Sequence, residues 1–206
     1  MSTAPEHAFP VWSFDPRDGA LQGPLDLQSF AEGGLRLRLG PGQTALLIEA
    51  DEPRASWTEG QHELRIGRGD DRLAPDAHLF MIATDTPLSC RWGDALPLRD
   101  AAVRGGCAFL ISDPVRFHAA FLRRGGTLGL DLVRRLLGAL VQARLGDLLA
   151  ASPDAPAIRL AGVTRDDLAA GWDELGVTLA AFACDAPATA GPAAPAAAGH
   201  PVFARV

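Results

Sequence analysis

The chain has 206 residues, 48% of them hydrophobic, and a formal net charge of −6. That length supports one sizeable core, or one domain with a short appendage, and the acidic balance argues against a general nucleic-acid binder. Every basic residue is Arg, Lys, Tyr and Asn are absent, and Ala and Gly are abundant. This is the composition of a GC-rich, bacterial coding background, and it lowers the weight of any single Gly, Ala or Arg.

Cys90, Cys107 and Cys184 are widely spaced, odd in number and set in apolar, strand-like surroundings. A disulfide framework is not expected, and a reducing cytoplasm fits. The opening MSTAPEHAFPVW has neither the basic region nor the apolar run of a signal peptide. No apolar stretch approaches the roughly 18 residues that span a bilayer, so any membrane contact is expected to be peripheral.

In chain order, residues 1–34 are rich in Pro, Gly and Asp and are expected to form an irregular arm on the domain. Leu35–Leu39 alternates with period two, as a half-buried strand does. Gly40-Pro41-Gly42 turns the chain, and Thr44–Ala50 (TALLIEA) is a strongly apolar strand followed by a turn over Ala50–Arg54. His62–Ile66 alternates again, Leu79–Thr84 (LFMIAT) and Leu88–Trp92 are further strands, and Leu96–Asp100 is expected to cross over to a buried strand at Gly106–Ile111. Short strands with no helix between them predict an antiparallel sheet.

After Ile111 the pattern changes. Asp113 suits the cap of a helix whose first position is Pro114, and Phe117 and Phe121 share one of its faces. Gly125-Gly126 ends it. A second helix of about 25 residues, roughly 37 Å long, is predicted from Thr127 to Ala151. Its apolar arc comprises Leu132, Val133, Leu136, Leu137, Leu140, Val141, Leu145 and Leu148. Thr164 is expected to cap a short helix, Arg165–Leu175, that Gly176 ends, and Val177–Cys184 is a final strand. Strands, then helices, then one strand make an α+β class: an antiparallel β-sheet with helices packed on one side. From Asp185 the chain is Ala/Pro/Gly-rich, and residues 185–206 read as a flexible tail.

Several of these pieces together resemble the SPFH domain, also called band 7 or prohibitin-homology, of stomatins, flotillins and prohibitins. They are most similar to its soluble bacterial, virion core protein-like group. Gly42–Ile48 resembles the opening strand, and Trp57–Leu64 resembles the "pG.h.L" element with Glu59 in place of the usual Pro. Phe80–Thr84 and Arg91-Trp92-Gly93 are similar to a strand and its "kWGt" turn. Gly105–Pro114 resembles "G.y.f.I.DP..f", and Trp172–Val177 resembles the helix-to-strand exit "l...GV.l". The resemblance covers residues 35–184. It implies an SPFH-type fold and a non-enzymatic, self-associating scaffold or adaptor. The hydrophobic N-terminal segment and long coiled coil of many members have no counterpart in this sequence, so small assemblies are expected rather than large rings.

The residues themselves nominate no chemistry. The five His show no metal spacing, although His78 with Asp70, Asp71 and Asp76 makes an acidic loop. No Ser lies in a G-x-S-x-G elbow, and Gly40-Pro41-Gly42 lacks the Lys and context of a phosphate loop. No catalytic residue, metal or cofactor is therefore expected. The region 113–147 is locally basic, with Arg116, Arg123, Arg124, Arg134, Arg135 and Arg144 against three Asp. These arginines are candidates for contact with an anionic membrane surface or an acidic protein partner. Leu136, Leu137, Leu140 and Val141 are candidates for a homo-oligomer contact, because an apolar arc that wide usually has two neighbours. The expected location is cytoplasmic, with a peripheral position at the inner membrane. The alternative function is a soluble, monomeric stress-response regulator that binds a small molecule or client protein.

Overall fold

The structure is a computed structural model that describes residues 9–30, 33–67, 72–98, 101–123, 129–150 and 162–185. Among them the class is α+β, with mostly antiparallel strands and few helices. The single expected sheet is instead three. The middle one has the order β2-β7-β4-β5 (Leu21–Asp26, His78–Ala83, Gln43–Glu49, Glu52–Trp57). A second is β1-β3-β6 (Val11–Ser13, Gly34–Leu39, Gly60–Arg65), and the third is β10-β9-β8 (Val177–Cys184, Ala101–Ile111, Leu88–Leu98).

The middle sheet is buried on both faces, which explains why TALLIEA and LFMIAT read as continuous apolar runs rather than alternations. Ala45, Leu47, Leu79, Met81 and Ala83 face a core shared with Leu35, Leu37, Leu39 and Leu64 of the β3–β6 sheet. Leu46, Ile48, Phe80 and Ile82, one residue out of phase, face a second core shared with β8–β10 and the helices. The buried apolar side chains of the described α-helices and π-helical turn lie in this second core.

The expected irregular arm over 1–34 is corrected, because its described part contributes two paired strands. Parallel β1 pairs Val11–Ser13 with Arg36–Arg38, and β2 pairs with β7 across a register shift between Gln22 and Leu25. That shift accommodates Gly23-Pro24, which interrupts the alternation by which a strand is recognised. The expected turn over Ala50–Arg54 is shorter. Ala50 and Asp51 alone make it, with φ of 49° and 63°, and β5 begins at Glu52. As an outer strand, β5 tolerates Pro53. The crossover expected at Leu96–Asp100 is likewise replaced. Leu96–Leu98 remains paired with Ala101–Val103, so β8 and β9 form one long antiparallel pair with a shift between Trp92 and Leu96.

α1 (Pro114–Phe117) starts as expected: the Asp113 carboxylate accepts from the Val115 and Arg116 amides, both at 3.0 Å. It runs on into a π-helical turn, His118–Leu122, closed by the Arg123 amide donating to the His118 carbonyl at 3.0 Å. Phe117 and Phe121 are both buried, their rings 5.2 Å apart. α2 spans Leu130–Ala150. The predicted helix over Arg165–Leu175 is corrected to two short 3-10 turns, Asp166–Leu168 and Asp173–Leu175. Its ladder fails because the Leu168 carbonyl is taken by two side chains, Arg144 Nη1 at 2.9 Å and Trp172 Nε1. Thr164 does cap the first turn, sharing reciprocal hydrogen bonds with Asp167. The predicted Gly125-Gly126 stop and the tail beyond residue 185 lie outside the described residues.

Candidate functional site

The candidate surface is the outer side of α2. The helix lies along β8, the outer strand of its sheet, and thereby covers that edge. Gly138 makes the approach possible: a β-carbon there would collide with the Arg91 carbonyl of β8. Gly138 thus serves close packing within the chain.

The predicted apolar arc divides into two stripes. Val133, Leu137, Val141 and Leu145, spaced four apart, are fully buried in the core beneath the helix. Leu136 and Leu140 remain 40% exposed, beside exposed Ala139 and Ala143 and half-buried Leu132. Positions 132, 136, 139, 140 and 143 lie on one helix face. Of the four proposed oligomer-contact residues, Leu137 and Val141 are therefore corrected to core, since a side chain enclosed by its own domain cannot reach a partner. Leu136 and Leu140 remain available.

The six arginines are not gathered into one basic face. Arg116 pairs with Asp113 at 3.3 Å and donates to the Asp173 carbonyl at 3.2 Å. Arg123 pairs with Glu52 at the start of β5. Arg134 pairs with Asp131 at 3.1 Å. Arg144 stacks over Trp172, 4.8 Å from its ring centre, while donating to Leu168. Arg135 is exposed on α2, and Arg124 lies outside the described residues. Three of these arginines are thus offset by a carboxylate, and Arg144 holds the 166–175 segment in place.

Among the described residues no three His, Cys, Asp or Glu side chains are grouped so as to hold a metal ion; Asp70 and Asp71 of the acidic loop are not described. Nor is any described helix long and apolar enough to cross a membrane.

Two features escaped the sequence reading. His118 is 2% exposed, with its ring edge-on to Phe80 and Nδ1 buried without a hydrogen-bond partner. Burial holds its pKa below the ordinary value of 6.5; Asp51 and Glu52 pull upward and Arg123 downward. Cys90 and Cys107 are directly opposed across β8 and β9. Period-two alternation puts both cysteines on core faces, but only the register makes them neighbours. No protein-family model matches the chain, and neither does any curated protein.

Proposed function

We propose that this chain is a non-enzymatic scaffold or adaptor of SPFH, or band 7, type that self-associates through the outer stripe of α2. The observation that carries the reading is the exposure of Leu136 and Leu140 on a helix whose other apolar stripe already fills the core. Two adjacent leucines and two alanines in contact with water favour a partner that covers them. The stripe is small, which suits a weak, small assembly rather than a permanent large one. Support for the SPFH type comes from two pieces of the sequence resemblance, the Asp113-Pro114 turn and the Gly176-Val177 exit. They are hydrogen-bonded to each other: the Gly176 carbonyl accepts from the Ser112 and Asp113 amides at 2.9 and 3.1 Å.

Any contact with an anionic membrane in this reading is peripheral and electrostatic, and secondary to assembly, because carboxylates already partner Arg116, Arg123 and Arg134. Sedimentation velocity of the wild type and of a Leu136→Glu, Leu140→Glu double variant tests the proposal. The wild-type coefficient is expected to rise with concentration and the variant's to stay at that of a single chain. A wild-type coefficient that is constant at the single-chain value favours the monomeric regulator instead.

A further inference from the structure

We propose that Cys90 and Cys107 form a redox-active dithiol that closes to a disulfide when a small hydroperoxide, such as hydrogen peroxide, reaches it. The two residues are exact register partners in the antiparallel β8–β9 pair. Opposed residues in such a pair have Cα atoms about 4.5–5.5 Å apart, inside the roughly 4.4–6.8 Å window that a disulfide spans. Cys107 Sγ donates to the Cys90 carbonyl at 3.9 Å, and Cys90 Sγ donates to the Leu88 carbonyl at 3.5 Å. No strand has to slide for the bond to form.

The two thiols are unequal. The Cys107 thiol beside it pulls the Cys90 pKa down, against the effect of burial, and the Arg134 charge adds to the pull. The Cys90 thiol, with burial, pushes Cys107 up. Arg134 also keeps its Nε buried without a hydrogen-bond partner, so its guanidinium has a donor to spare for a nearby anion. Cys90 is therefore the thiolate that attacks and Cys107 the thiol that resolves. Both residues are 5% exposed. Yet Arg134, close enough to act on Cys90, has 38% of its side chain in solvent, which places the pair just below the surface beside α2. An open hollow of about 440 Å³ has both cysteines in its wall, with Ser89, Arg91 and Gly106 around them. An oxidant the size of water or slightly larger is the kind that can enter it.

The chemistry closes without another reagent. The Cys90 thiolate attacks one peroxide oxygen and the O–O bond breaks. The departing oxygen takes a proton to become water, and Cys90 becomes a sulfenic acid. Cys107 sulfur then attacks the Cys90 sulfur, the S–O bond breaks and a second water leaves. In sum, two thiols and one hydrogen peroxide give one disulfide and two waters. Cys184 is not part of this: burial and the Asp185 carboxylate push its thiol up.

The test treats the full folded chain with hydrogen peroxide and maps its peptides by mass spectrometry under non-reducing conditions. The expected result is a Cys90–Cys107 cross-link with the loss of two hydrogens, reversed by dithiothreitol and formed equally in Cys184→Ala. In Cys107→Ser the cross-link should be replaced by a dimedone adduct on Cys90. The proposal is overturned if the wild-type pair stays reduced at peroxide concentrations that oxidise Cys184. It is also overturned if the link appears only once the chain is unfolded by denaturant. Both readings use the wild-type protein and hold whether or not the serine variant folds.

Discussion

Gly176 is locked under Asp113: its carbonyl accepts from the Asp113 amide at 3.1 Å, and a β-carbon on Gly176 would strike the Asp113 carbonyl and the Phe117 amide. With φ at +70°, Gly176 also sits in the left-handed region. The entry to α1 and the entry to β10 are thus one joint, made by residues far apart in sequence. Gly176→Ala should destabilise the fold by about 1–2 kcal/mol from the backbone conformation alone, and by more because the obstacle is main chain. Asp113→Ala should cost about 1 kcal/mol through the lost cap. Denaturant unfolding measures both; a Gly176→Ala loss no larger than that of Asp113→Ala would mean the joint is looser than described.

The two stripes of α2 should respond differently to truncation. Leu137→Ala opens a cavity in the core and should cost about 2–5 kcal/mol. Leu136→Ala, on the exposed stripe, should stay within about 0.5 kcal/mol when measured at a concentration where the chain is monomeric. Equal losses at the two positions would show that Leu136 is also core and remove the basis for a contact surface there.

Gly138→Ala gains about 1 kcal/mol of helix propensity in isolation. Against the Arg91 carbonyl it should nevertheless destabilise, by about 1–3 kcal/mol, because overpacking forces α2 off β8. A thermal midpoint equal to or above the wild type's would contradict the close packing of helix on strand.

Much of the strand pattern was legible because Leu35–Leu39, His62–Ile66 and Val177–Cys184 carry it locally. β1, β2 and β5 were not, for physical reasons: β1 is only three residues, Gly23-Pro24 breaks the alternation of β2, and Pro53 among charged neighbours disguises β5. A wheel identified the apolar arc of α2 but could not divide it, since only the placement of β8 decides that Leu137 is enclosed and Leu136 is not. The arginines were legible as an excess of charge. Their partners, Glu52 for Arg123 and Leu168 for Arg144, come from distant parts of the chain that sequence spacing does not connect.

His118 gives a pH dependence of known sign. Its pKa in the folded chain lies below the ordinary 6.5 because burial disfavours the imidazolium. The unfolded chain therefore takes up a proton first as pH falls, and the stability linked to this group is complete above about pH 6.5 and declines below it. Asp51 and Glu52 moderate the effect and Arg123 reinforces it. The denaturant midpoint should fall between about pH 7.5 and pH 5.5, and His118→Phe should flatten that part of the profile. An unchanged slope in the variant would show that other groups carry the dependence.

Binding to anionic vesicles should be weak at physiological ionic strength, since exposed charges are screened within about 8 Å and carboxylates partner Arg116, Arg123 and Arg134. Whatever binding occurs should strengthen as salt is lowered and weaken in Arg135→Glu. Binding that persists in high salt, or that is equal on neutral vesicles, would exclude an electrostatic contact.

Self-association through Leu136 and Leu140 is tested most directly by light scattering on the wild-type chain over an approximately hundredfold concentration range, since a reversible assembly follows mass action. The account predicts a mass that rises from one chain to several as concentration increases. A mass of one chain at every concentration would contradict it.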